Sequence, residues 1–188
     1  MATQSPSVAA GTPAPEFNLP STTGEMVSMA DFAGRPALLV AFVCNHCPYV
    51  RHVESALARV AADYEGSGLA TVAISANDVA SYPDDDLDHL AEQARRAGFA
   101  FPYLYDESQE VAHAYGAVCT PDLFLFDADQ RLAYRGEFDG SRPHQGIPAT
   151  GASLRAAVDC VLAGEPVPEP HRPSIGCSIK WRETSSSQ

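Results

Sequence analysis

Residues 37–43 form an uncharged apolar run, Ala-Leu-Leu-Val-Ala-Phe-Val, the pattern of a strand buried on both faces. Past Cys47 the period becomes helical. Val50, Val53, Leu57, Val60 and Tyr64 recur on one side, with Arg51, Glu54, Arg59 and Asp63 elsewhere. Pro48 suits the first turn of that helix, and Gly66 and Gly68 end it. Before the run, residues 15–19 and 25–28 read as a short hairpin around Thr23-Gly24, followed by one helical turn over 29–34. Beyond it, 69–75 is a second apolar strand. Asp84, Asp85 and Asp86 load the start of a helix whose apolar face is Leu87, Leu90, Ala91 and Ala94. A short strand at 101–105 and a short helix at 109–115 follow. Residues 123–126 and 132–136 then pair as a hairpin, and 152–162 is a last amphipathic helix. Strands alternating with helices predict an α/β domain, a mixed sheet covered on both faces.

The flanks differ in composition. Residues 1–14 are rich in Ala, Ser, Thr and Pro and read as a flexible arm before a domain at 15–164. Residues 165–188 are a Pro-rich tail expected to pack back on the domain up to about Trp181. The chain of 188 residues, 45% apolar, can bury a sizeable core. Its net charge of −12 argues against nucleic acid or an anionic membrane as partner. No signal-like segment opens the chain and no apolar run has bilayer length, so the expected location is cytoplasmic. In a reducing compartment five cysteines read as catalytic, resolving or packed thiols.

Cys44 and Cys47 lie between the buried strand and the helix N-terminus. Free N–H groups and the helix dipole favour a thiolate there, and the two-residue spacer lets the sulfurs form a disulfide. A half zinc site or two packed thiols is the alternative. The acidic run reads as a helix start, because nothing near it in sequence completes a loop of metal ligands. No cofactor or metal is expected.

Five segments carry a family likeness: Phe42-Val-Cys-Asn-His-Cys-Pro48, Ser75-Ala-Asn-Asp78, Tyr115-Gly-Ala-Val-Cys-Thr-Pro-Asp122, Asp139-Gly-Ser-Arg-Pro143 and Pro173-Ser-Ile-Gly-Cys-Ser-Ile-Lys-Trp181. Over about residues 15–181 the chain resembles the thioredoxin-like superfamily. Within it, the likeness is to the peroxiredoxin-like branch of the alkyl hydroperoxide reductase/thiol-specific antioxidant (AhpC/TSA) family. The resemblance implies a thioredoxin-like fold with an N-terminal β extension and a strand–helix insertion. It also implies a cis Thr120-Pro121 bond against the cysteine pair, which exposes backbone to a polypeptide or thiol substrate.

On that footing Cys44, the outer cysteine, is the expected nucleophile and Cys47 the resolving thiol. His46, as imidazolium, would stabilise the Cys44 thiolate and make the pair more oxidising; otherwise it is a solvent-exposed histidine. Cys119, beside Thr120-Pro121, could resolve, regulate or pack. Cys160 has no role. Cys177 reads equally as an additional redox thiol and as part of a tail anchored by Ile179 and Trp181. Arg142 could contact an anion or sulfur, or be a surface loop arginine. Peroxiredoxins place a Thr or Ser three residues before the reactive cysteine; here Ala41 stands there. Thioredoxins bury a carboxylate near the second cysteine; here the matching strand is apolar, with Asp78 and Asp122 as substitutes. The expected activity is thiol-disulfide exchange in cell redox homeostasis, on protein or small-molecule thiols and disulfides. A hydroperoxide-reducing enzyme and a metal-binding thiol protein are the alternatives.

Overall fold

The computed structural model describes residues 2–183. In chain order its elements are β1 (Ala2–Gln4), β2 (Asn18–Pro20), β3 (Met26–Ser28), β4 (Ala37–Phe42), α1 (Pro48–Glu65), β5 (Leu69–Ser75), α2 (Leu87–Ala97) and β6 (Tyr103–Tyr105). Then come α3 (Glu110–Tyr115), β7 (Cys119–Thr120), β8 (Asp122–Asp127), β9 (Leu132–Gly136), α4 (Ala152–Leu162) and β10 (Ile175–Ser178). The central sheet runs β6-β5-β4-β8-β9, with β4 parallel to β5 and antiparallel to β8.

The period-2 geometry of β4 builds two cores. Leu39, Ala41 and Val43 pack on one face with Val50, Leu57 and Val60 of α1 and Leu154 of α4. Leu38, Val40 and Phe42 pack on the other with Ile74, Tyr115 and Phe124. Such a strand needs apolar residues at every position, which is why it carries no charge. The sheet thereby fixes where β4 ends and the cysteine loop begins.

Two expectations are corrected. The arm at 1–14 is not loose throughout. β1 pairs antiparallel with β10, and β10 pairs with β7, in a second sheet of order β1-β10-β7. Short polar stretches can still satisfy their backbone groups in a ladder when a tail strand offers an edge. Glu54, off the apolar stripe of α1 by its spacing, is buried all the same, because Arg96 and Gln93 of α2 reach it at 3.0 Å each. The tail lies along the domain: Ile179 is buried, and Trp181 stacks on His113 with ring centroids 4.1 Å apart. Among the described residues no helix is long and apolar enough to cross a membrane.

Candidate active site

β4 delivers the chain to Cys44, and Cys47 is the residue immediately before α1, with Pro48 opening the helix. Both cysteines are fully buried and all five cysteines are free thiols. β7 crosses beside them. The Thr120–Pro121 bond is cis, and Thr120 touches both sulfurs. Its hydroxyl lies 3.3 Å from Cys44 Sγ and its carbonyl oxygen 3.2 Å from Cys47 Sγ.

The two thiols differ in acidity. The Cys44 side chain, hydrogen-bonded to Cys47, holds the Cys47 thiol down at about 5; burial opposes this, while the Cys177 side chain and the N–H groups of Val50 and Cys177 reinforce it. Cys47 makes no full capping hydrogen bond. The N–H of Val50 nevertheless turns the positive end of the helix toward its sulfur. The Thr120 carbonyl suits the neutral thiol and opposes ionisation, but the donors outnumber it. Cys44 moves the other way: its hydrogen bond to Cys47, burial and the Asp85 charge all raise it, and only the Thr120 hydroxyl lowers it. The shifts run against the expected Cys44 thiolate: they favour the anion on Cys47, at the helix N-terminus, and the proton on Cys44.

Asp85 organises the loop between the cysteines. It is fully buried and accepts hydrogen bonds from Asn45 N (2.7 Å), His46 N (3.2 Å), Asn77 Nδ2 (2.8 Å) and His46 Nδ1 (2.5 Å). Burial raises the Asp85 carboxyl, but His46 and Asn77 outweigh it and the net shift is downward. The same hydrogen bond raises His46 against its partial burial. Asp85 thus favours the charged form of His46 and pairs with it, so the ring is not a free cation beside Cys44. Its ring also stacks on Tyr82, centroids 5.2 Å apart. On the far side Gln93 Nε2 donates to the Cys44 carbonyl at 3.1 Å and Tyr103 OH donates to Gln93 at 2.9 Å. Arg96 and Arg51 hold the Asn45 side-chain and backbone oxygens at 3.0 and 2.9 Å. The sequence reading did not place Asp85, Gln93 or Glu54 at the site. The one available signal was a Gln between Leu90 and Ala97 on an otherwise apolar helix face.

The other candidates separate. Cys119 is buried, with its thiol 3.6 Å from the Pro121 carbonyl and its acidity suppressed by burial. Cys177 lies on β10 opposite Thr120 and packs on the core cluster that contains Cys44 and Cys47. Arg142 is bound to Glu137 at 2.7 Å and to the carbonyls of Asp139 and Ser141, so its hydrogen bonds go to its own loop and not to a sulfur. Asp122 is gripped by Arg135, and Asp78 caps the turn at Ala80 and Ser81. Neither takes the place of a thioredoxin carboxylate; the carboxylate whose charge reaches Cys44 is Asp85. Cys44 Sγ, a His46 ring nitrogen and an Asp85 oxygen lie within 4.8 Å of one another and could offer a metal three donors. The acidic run is thus more than a helix start, although Asp86 does cap α2 by accepting from His89 N.

Known proteins share this framework. A hypothetical protein of Sinorhizobium meliloti superposes with a TM-score of 0.94 at 50% identity, covering 97% of this chain and all of that one. A Mycobacterium tuberculosis protein named as a candidate peroxiredoxin is 31% identical over 107 residues. That match takes in 57% of this chain and 63% of the relative, so it spans less than two thirds of the relative's length. The thiol-disulfide oxidoreductase ResA of Geobacillus thermodenitrificans is 26% identical over 69% of this chain and 70% of its own. A Chlorobium tepidum protein described as a thiol:disulfide interchange protein of the DsbE type shares the thioredoxin-like fold, with a TM-score of 0.67 at 22% identity over 83% of this chain and 99% of that one. The profile of the AhpC/TSA family matches residues 10–135, a span that holds β4, both cysteines, Asp85 and Thr120–Pro121, and the chain belongs to that family.

Proposed function

We propose that this protein is a thiol-disulfide oxidoreductase working through Cys44 and Cys47. The observation that carries the reading is Thr120 bridging the two sulfurs, hydroxyl to Cys44 and carbonyl to Cys47. In this reading the Cys47 thiolate attacks a disulfide and one substrate thiolate leaves. Cys44 then attacks Cys47 Sγ, releasing the second substrate thiol and closing Cys44–Cys47. An external thiol reverses the sequence. Substrates are protein or small-molecule thiols and disulfides, and the compartment is cytoplasmic, where free cysteines persist. Thiol counting and peptide mapping after oxidation by oxidised glutathione test it. One Cys44–Cys47 disulfide per chain is expected, lost in both Cys44→Ser and Cys47→Ser; an unchanged thiol count in the wild type overturns the reading.

A second reading has its own observation. The Thr120 hydroxyl beside Cys44 supplies a donor that Ala41 does not, so a hydroperoxide could find one preorganised hydrogen bond. Hydrogen peroxide consumption with a thiol reductant, compared with the rate of disulfide exchange, decides between the two.

A further inference from the structure

Resting on the thiol-exchange reading, we infer that Cys177 is a third redox thiol: it exchanges with the Cys44–Cys47 disulfide at Cys47 and closes a Cys47–Cys177 bond that fastens the tail across the site. The tail places it there. β10 runs antiparallel to β7 with Cys177 opposite Thr120, the residue whose carbonyl lies 3.2 Å from Cys47 Sγ. Gly176 makes this approach possible. A Cβ at that position would stand 1.9 Å from the Thr120 carbonyl oxygen, so a side chain there would push the strand off.

The strand is held on both sides of Cys177. Ser174 Oγ donates to the Gly136 carbonyl at 2.6 Å, Ile179 N donates to the Val118 carbonyl at 3.0 Å and Lys180 N to Asn77 Oδ1 at 2.8 Å. Both the thiol and the N–H of Cys177 face the Cys47 sulfur. Burial, and the hydrogen bond to Cys47, hold the Cys177 thiol up at about 11 while Cys47 is anionic. Once Cys47 is in a disulfide that charge is gone and Cys177 ionises more readily. Cys119 is turned to the Pro121 carbonyl instead.

The step balances without an added oxidant. Cys177 loses its proton to solvent and its thiolate attacks Cys47 Sγ. The Cys44–Cys47 bond breaks with its electron pair leaving on Cys44, which takes up a proton. One disulfide is exchanged for another, Cys44 is released as a thiol, and β7 stays covered by a covalently held strand.

The test uses the full chain. The Cys44→Ser variant is treated with oxidised glutathione, quenched in acid, and mapped by peptide mass spectrometry. An intramolecular Cys47–Cys177 disulfide with no retained glutathione is expected, together with a stable Cys47 glutathione adduct in Cys44→Ser/Cys177→Ser. A lasting Cys47 adduct with Cys177 free in Cys44→Ser overturns the inference. Should that variant not fold, the oxidised wild type is alkylated and mapped. Cys44 alkylated in part of the population, with Cys47–Cys177 bonded, supports the inference. Cys44–Cys47 alone, with Cys177 always alkylated, sinks it and leaves the exchange reading standing. The absence of any disulfide at Cys47 sinks both.

Discussion

Asp85 and Asp122 are both fully buried carboxylates with a basic neighbour, yet they behave in opposite ways. Burial raises Asp122, and its pair with Arg135 (Nη2–Oδ2 2.7 Å) does not bring it back. Burial also raises Asp85, but two backbone N–H groups, Asn77 and His46 overturn it. The difference is the number of donors aimed at the carboxylate. Asp122 is a strut: with Arg135, whose guanidinium lies 4.4 Å over the Phe124 ring, it braces β8 against β9. Asp85 keeps a charge where the cysteine loop turns and adds to the rise of Cys44, which the hydrogen bond to Cys47 and burial lead.

The contrast is broken most severely on the strut. Arg135→Met leaves Asp122 buried without its partner, and removing one member of a buried pair costs about 3–5 kcal/mol. Urea denaturation is expected to show that loss, while disulfide formation at Cys44–Cys47 in the folded fraction persists. Asp85→Asn is expected to cost less stability, about 1–3 kcal/mol for its disrupted hydrogen bonds, but to change the chemistry. Removing the negative charge lowers the Cys44 pKa, and His46 returns toward its ordinary 6.5. Alkylation rate against pH and the imidazole NMR titration read the two shifts; an unmoved His46 titration would break the ion-pair assignment.

Linkage gives the pair a pH signature. The depressed Asp85 contributes stability that is complete above 3.8 and lost as pH falls through its folded pKa. The raised His46 contributes stability that is complete below 6.5 and lost as pH rises through its folded pKa. The stability gap between wild type and Asp85→Asn should therefore be widest between pH 3.8 and 6.5, narrowing as pH falls through the folded Asp85 pKa or rises through the folded His46 pKa, as a denaturation series across pH checks. Thr120→Val is the mildest probe. It keeps the shape beside Cys44 but removes the one group that lowers its pKa, so Cys44 should alkylate more slowly at a given pH with little change at Cys47.

The elements were legible because they answer to local rules. β5 and α4 follow from unbroken apolar or amphipathic runs, and Gly116 closes α3 in the left-handed conformation that favours glycine. The candidate site was legible in outline: Cys44 and Cys47 because strand, Cys-x-x-Cys and helix are consecutive, Thr120 and Pro121 only through the family resemblance. What surrounds them was not. Asp85 stands in an acidic run that satisfies a helix-start pattern by itself, and only the packing of α2 and its leading turn against the cysteine loop turns one carboxylate inward.

By itself the chain determined where strands and helices lie, that β4 is buried on both faces, and that a cysteine pair meets a helix N-terminus. Periodicity and capping act over a few residues, and sequence displays them directly. The tertiary structure alone decided that His46 pairs with Asp85, 39 residues on, and that Cys177, 130 residues on, faces Cys47. It also decided how Cys44 and Cys47 divide their acidity, because Asp85, Thr120 and Cys177 add to the local contact between the two thiols. Electrostatic shifts follow such spatial neighbours, whose identity no local pattern encodes.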